Sequence, residues 1–178
     1  MNFSLFLYAE NSKQSDISKT QLINYLTELN FISGQTSSLT LPAGSKLMDY
    51  ITFLGCSPSL QQGDIESAIS IHQFDEVVGL GGESIETIRY PGCKHPVTNP
   101  VKLLKSYPDN DSWQCPNCDL EGKTNEIQWR KSAGFSNIFI EISQIFPKEA
   151  VPSDKLLSCL NNFTKCQWQW FYSATTSV

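Results

Sequence analysis

Only two histidines, His72 and His95, occur in 178 residues, so side chains that pair a base with a nucleophile are scarce. Charge is sparse as well: Asp, Glu, Lys and Arg make up 17% of the chain. No apolar run approaches the roughly 18 to 20 residues that a membrane-spanning helix needs, which argues against a membrane protein. The opening stretch Met1 to Glu10 is apolar but has no basic leader, so it reads as a strand and not as a secretory signal. With no such signal, the six cysteines point to metal or to reduced thiols, and the expected compartment is the cytoplasm. Three catalytic signatures, H-E-x-x-H, G-x-S-x-G and the P-loop, are missing. The deaminase pairing of H-x-E with P-C-x-x-C fails too, because Val97 stands where the glutamate belongs and Gln114 where the proline belongs.

What is present suffices for a folded core. Hydrophobic residues make up 40% and aromatic residues 11%, and the length suits a single domain over 1–178. The net charge of −5 is unevenly spread. Residues 1–86 carry three Lys against ten acids (−7), residues 87–131 seven Lys or Arg against five acids (+2), and residues 132–178 three of each. A face carrying the acidic excess repels phosphate, so general nucleic-acid binding is disfavoured and survives only as a local patch in the basic middle segment.

Local patterns suggest the elements. Phe3 to Tyr8 reads as a buried strand. Ser18 with Gln21 forms a capping-box pattern ahead of the stripe Leu22, Ile23, Leu26 and Leu29, and Gly34 suits the turn out of that helix. A strand is expected over 37–41. Leu47, Tyr50, Ile51 and Leu54 are spaced for a second helix over 45–54, closed by Gly55, with Cys56 in its exit turn. Alternation over Ala68 to Phe74 predicts a strand that turns at Gly79 to Gly82 and returns over Ser84 to Tyr90 as a hairpin. A short strand over 126–130 and a longer one through Ile138, Ile140 and Ile142 follow. Ser153 caps a helix carrying Leu156, Leu157 and Leu160, and Gln167 to Tyr172 closes the chain as an aromatic strand. Strand, helix and strand at both ends predict an α+β fold, a mostly antiparallel sheet with helices on one face.

Residues 91–122 lack periodicity and are rich in proline, so they are expected to form an inserted loop module organised by a ligand and not by a core. Cys93-Lys94-His95 opens this segment, and nineteen residues separate His95 from Cys115-Pro116-Asn117-Cys118. Three sulfurs and one imidazole match the four-ligand preference of zinc, and a C-x-x-C turn lets two sulfurs converge on one Zn2+ ion. In Cys115-Pro116-Asn117-Cys118 the segment resembles the metal knuckle of zinc-ribbon proteins, over about 30 residues. It departs from that pattern in supplying Cys93-x-His95 where a second C-x-x-C is usual. A redox pair at Cys115 and Cys118 is the weaker alternative, since the residues after them lead into a turn and not into a helix.

Other candidates favour plain structural roles. His72 is expected on a polar surface beside Asp75 and Glu76, Cys159 and Cys166 as packed residues, and Trp168, Trp170 and Tyr172 as core or as a protein contact. Lys94, Trp113, Trp129, Arg130 and Lys131 border the metal segment and form a candidate interaction patch. The leading expectation is a non-enzymatic protein whose zinc knuckle supports contact with another macromolecule, preferably a protein. Two alternatives stand beside it: nucleic-acid binding through Lys94, Lys102, Lys105, Arg130 and Lys131, and a zinc hydrolase with water in place of His95.

Overall fold

A computed structural model of the chain describes residues 3–10, 17–34, 40–54, 68–82 and 87–174. In chain order the elements are β1 (Phe3–Ala9), α1 (Lys19–Glu28), α2 (Leu47–Tyr50), β2 (Ile51–Phe53), β3 (Ile69–Gly81), α3 (Pro100–Lys105), β4 (Ser112–Gln114), β5 (Glu121–Lys123), β6 (Ala133–Ser143), β7 (Ala150–Pro152), α4 (Asp154–Thr164) and β8 (Trp168–Ala174). The fold is α+β. Four strands make one antiparallel sheet in the order β3, β6, β1, β8, and β2 with β7 and β4 with β5 make two small ladders. No helix among the described residues is long and apolar enough to cross a membrane.

Strand alternation divides the sheet into two faces. Leu5, Leu7 and Ala9 of β1 share one face with Ile138, Ile140 and Ile142 of β6 and with Trp168 and Tyr172 of β8. Onto this face α1 lays Leu22 and Leu26, and α4 lays Leu156 and Leu160, all fully buried. Each such side chain contributes about 1.5 to 3 kcal/mol by leaving water. Both helices start as their caps predict. Ser18 Oγ accepts from the Gln21 N–H while Gln21 Oε1 accepts from the Ser18 N–H, and Ser153 Oγ accepts from the Leu156 N–H.

The opposite face carries an aromatic layer of Phe6, Phe139 and Phe171, bordered by Tyr8 and Phe74. Phe6 and Phe171 stack at 5.0 Å. Close approach here requires glycine: a Cβ on Gly134 would lie 2.7 Å from Tyr8 and 2.8 Å from Phe171.

Several expectations are corrected. Over 45–54 only Leu47–Tyr50 is helical; Ile51–Phe53 pairs with Ala150–Pro152 instead. Tertiary pairing outcompetes the helical spacing because Ile51 and Thr52 are β-branched. The glycines at 79 and 81 do not turn the chain. They continue β3, with Gly79 opposite Phe135 and Gly81 opposite Ala133, because a Cβ on Gly81 would lie 2.3 Å from the Ser132 carbonyl oxygen. The exit from α1 is made by Asn30 at φ 56° and not by Gly34, Asn being tolerant of the left-handed region. No strand forms over 126–130; Ile127 and Trp129 are buried without joining a ladder. Residues 35–39, 55–67 and 83–86 lie outside the described residues, so Gly55, Cys56, most of the strand expected over 37–41 and the first part of the hairpin's return strand fall there. Of those two strands, Leu41 retains a bridge to Ile69 and Arg89 one to Pro96.

Candidate metal centre

Two tight turns face each other beyond the end of β3. In the first, the Val97 N–H donates to the Ile88 carbonyl at 2.9 Å and the Tyr90 N–H to the His95 carbonyl at 2.9 Å. The chain reverses through Gly92 at φ 82° and Lys94 at φ 59°, and Arg89 Nη1 donates to the Lys94 carbonyl at 2.9 Å. This reversal sets Cys93 and His95 side by side. The second turn joins β4 to β5: the Cys115 N–H donates to the Leu120 carbonyl at 2.8 Å, the Asp119 N–H donates to the Cys115 carbonyl at 3.0 Å, and Asp119 takes φ 58°. It places Cys115 beside Cys118. The two thiols therefore lie in a hairpin turn, the wrong setting for a redox pair that opens a helix.

One ligand atom from each of Cys93, His95, Cys115 and Cys118 lies within 4.8 Å of all the others. Cys93 Sγ is 3.6 Å from Cys115 Sγ, and His95 Nδ1 is 3.8 Å from Cys115 Sγ. A tetrahedral ion with metal–sulfur bonds of about 2.3 Å has sulfur–sulfur edges of about 3.8 Å, so these separations match an ion-sized gap. They also exceed by far the roughly 2.05 Å of a disulfide bond. Three thiols and one imidazole can hold a metal ion.

The site sits at the rim of its segment. Cys115 is fully buried, Cys93 and His95 are half-buried and Cys118 is exposed. Burial raises the proton affinity of Cys115, but hydrogen bonds from the Asn117 backbone and from the Cys118 and Cys93 thiols reverse this and hold it below the usual thiol range. At Cys118 a backbone hydrogen bond from Leu120 favours the thiolate. Desolvation and the adjoining Cys93 and Cys115 sulfurs outweigh that bond and push the thiol up to about 11. Without a cation, clustered sulfurs cannot all ionise; a divalent ion removes that conflict.

The segment around the site has a core of its own, contrary to the expectation that only a ligand organises it. Ile88, Tyr90, Val97, Leu104, Trp113, Ile127, Trp129 and Ala133 are buried together with Cys115. Helix α3, for which no periodicity gave notice, contributes Leu104, and Asn99 Oδ1 caps it by accepting from the Lys102 N–H at 3.0 Å. Tyr90 packs on Trp113 with ring centroids 4.9 Å apart, tying the first turn to the second.

This core alters the expected interaction patch. Lys94, Arg130 and Lys131 are exposed, but Trp113 and Trp129 are each only 6% exposed. Their indole N–H groups donate to the Lys123 carbonyl at 2.9 Å and the Thr124 carbonyl at 3.0 Å. A segment with few aliphatic residues buries its largest rings and satisfies their polar edges with the nearest carbonyls. His72 is no isolated surface histidine either. Its Nε2 lies 2.8 Å from Glu141 Oε2, and Ser4 Oγ donates to Glu141 Oε1 at 2.7 Å. The serine meets the carboxylate and not the imidazole, so the three do not form a nucleophile–base pair. Cys166, Trp168 and Tyr172 are core residues as expected, and Cys159 and Trp170 pack against that core.

Comparison with protein-family models, with curated proteins and with solved structures returns no match.

Proposed function

We propose that the chain binds one Zn2+ ion through Cys93, His95, Cys115 and Cys118, and that the ion is structural: it locks two turns into a surface used for contact with another protein. The observation that carries this reading is the gathering of four ligand atoms within 4.8 Å from turns about twenty residues apart. Two facing turns that each give two ligands are also the arrangement that the likeness to a zinc-ribbon knuckle implies. Thiolate and imidazole donors in a tetrahedral set favour zinc over the harder cations. Three thiolates, a neutral imidazole and Zn2+ leave one negative charge, and exposed Lys94 stands between two of the ligands. With four protein ligands the ion keeps no open position for water, so hydrolysis has no starting point.

With Trp113 and Trp129 inside, the contact surface is the outer side of the two turns. Leu120 is 47% exposed immediately beyond Cys118 and supplies an apolar point of contact, with Lys94 on the neighbouring turn. Nucleic-acid binding draws less support, because the basic residues stand on three separate elements: Lys94 on a ligand turn, Lys102 and Lys105 on α3, and Arg130 and Lys131 before β6. Metal analysis of the purified chain tests the assignment. One zinc per chain, lost when any of the four ligands is replaced by Ala, is expected; full occupancy in those variants overturns it.

A further inference from the structure

The four ligands of the metal centre are unequally open to solvent. Pro116 to Leu120 are exposed throughout, so Cys118 stands on the outside of its turn, whereas Cys115 has no exposed surface and Cys93 and His95 are half-buried. Cys93, Cys115, Cys159 and Cys166 are all buried or half-buried, which makes Cys118 the exposed cysteine among the described residues. A metal-bound sulfur is a thiolate, and oxidation of cysteine follows thiolate character and exposure together. Both meet at Cys118.

Two further observations decide what an attack there would do. First, the Cys118 sulfur lies within 4.8 Å of those of Cys93 and Cys115, which are themselves 3.6 Å apart. Closing that gap to the roughly 2.05 Å of a disulfide asks the exposed side chain to move by less than about 3 Å. Second, the segment does not depend on the ion for its core. Tyr90, Leu104, Trp113, Ile127 and Trp129 are buried together, and the two indole N–H groups donate to the Lys123 and Thr124 carbonyls, contacts that involve no ligand. Losing two ligands therefore opens the rim and leaves its base packed.

We infer that the metal centre is a peroxide-sensitive switch, in which oxidation of Cys118 expels the ion and unlocks the two turns; this rests on the zinc assignment proposed above. The Cys118 thiolate attacks one oxygen of hydrogen peroxide. An S–O bond forms, the O–O bond breaks, and the departing hydroxide takes a proton to become water. The Cys93 or Cys115 thiolate then attacks the Cys118 sulfur, forming the S–S bond and expelling the second oxygen as hydroxide, which is protonated in turn. Two thiolates thus lose two electrons, peroxide becomes two waters, and solvent supplies two protons. One thiolate and one imidazole remain, half the set that a structural zinc site needs. A dithiol reductant returns the two electrons and restores the ligands.

The full chain, loaded with zinc and then treated with hydrogen peroxide, tests this. A chromophoric chelator follows zinc release, and peptide mass spectrometry maps the cysteines. The expected result is loss of one zinc per chain with a disulfide joining Cys118 to Cys93 or Cys115, and with sulfenic acid trapped by dimedone at Cys118 ahead of the other ligands. Amide protection falls at Cys115 and Asp119 while the indole N–H groups of Trp113 and Trp129 stay protected, and dithiothreitol with added zinc restores full occupancy. The inference is overturned by sulfinic or sulfonic acid at Cys118 in place of the disulfide, by first oxidation at Cys93 or Cys115, or by release that also frees both indole N–H groups to exchange. Zinc that binds and is then retained through peroxide treatment overturns this inference alone. A chain that binds no zinc before peroxide is added overturns the zinc assignment together with it.

Discussion

Replacing Cys115 by Ser removes the one ligand that is wholly buried and that lies within 3.8 Å of two others. Structural zinc sites bind with an apparent free energy of about 10 to 16 kcal/mol, so an equal quarter share is about 2.5 to 4 kcal/mol, or roughly two to three orders of magnitude in affinity. The separations of 3.6 and 3.8 Å are already close to tetrahedral edges, so little rearrangement offsets the gain from each bond. A serine hydroxyl does not ionise near neutrality and is a harder donor, so Cys115→Ser should lose most of this share. Competition against a chromophoric zinc chelator measures the loss, and native mass spectrometry gives the stoichiometry. Cys159→Ser, on α4 and packed against the main core, is the control and should leave zinc affinity unchanged. Amide exchange then reports where order is lost: protection at Tyr90, Lys94, Cys115 and Asp119, whose N–H groups close the two turns, should fall, while β1 and β6 stay protected. A Cys115→Ser variant within about threefold of wild-type affinity would refute the four-ligand site. Equal weakening by Cys159→Ser would reduce the effect to general destabilisation.

Three further outcomes follow from contacts outside the metal centre. Burial favours the protonated form of Glu141, but hydrogen bonds from His72 and Ser4 prevail and leave its pKa lowered. Its stabilising share is therefore complete above the unfolded carboxyl value of about 4.3 and is lost as pH falls through the lower folded value. His72→Ala should lower stability by about 1 kcal/mol near neutrality, the pair being partly exposed, and by less at strongly acid pH; urea unfolding that shows an equal loss at both contradicts the pairing. Gly134→Ala would place a methyl group 2.7 Å from Tyr8 and 2.8 Å from Phe171. A loss of about 1 to 3 kcal/mol is expected, several degrees in Tm, and an unchanged Tm would mean that the aromatic layer yields freely. Ser18→Ala removes the acceptor of the capping box of α1, and denaturant unfolding should register a loss of about 1 kcal/mol; a change below about 0.3 kcal/mol would show that the cap is inert.

What the sequence disclosed depended on how local each determinant is. The caps at Ser18 and Ser153 and the alternation through Ile138, Ile140 and Ile142 lie within a few residues of the structure they specify, and all three are found where expected. The partition of Leu47 to Phe53 between helix and strand was not legible, because it is settled by pairing with Ala150–Pro152, about a hundred residues away. Gly79 and Gly81 misled for the same reason: glycine marks either a turn or a close approach, and only the contact with Leu104 and Ser132 tells which. The metal ligands show both sides. Residue types and the C-x-x-C spacing mark four donors, and each turn is specified nearby by Gly92 or Asp119. That the two turns face one another is decided instead by Tyr90 on Trp113 and by Ile88, Val97, Leu104 and Ile127 closing around them, which no periodicity announces. The apolar cluster thus brings the turns together, and under the proposed function a bound ion would complete the rim that the cluster leaves open. Loss of the ion should consequently loosen the two turns before it disturbs Trp113 and Trp129, an order that the indole resonances of those two residues can follow during chelator titration.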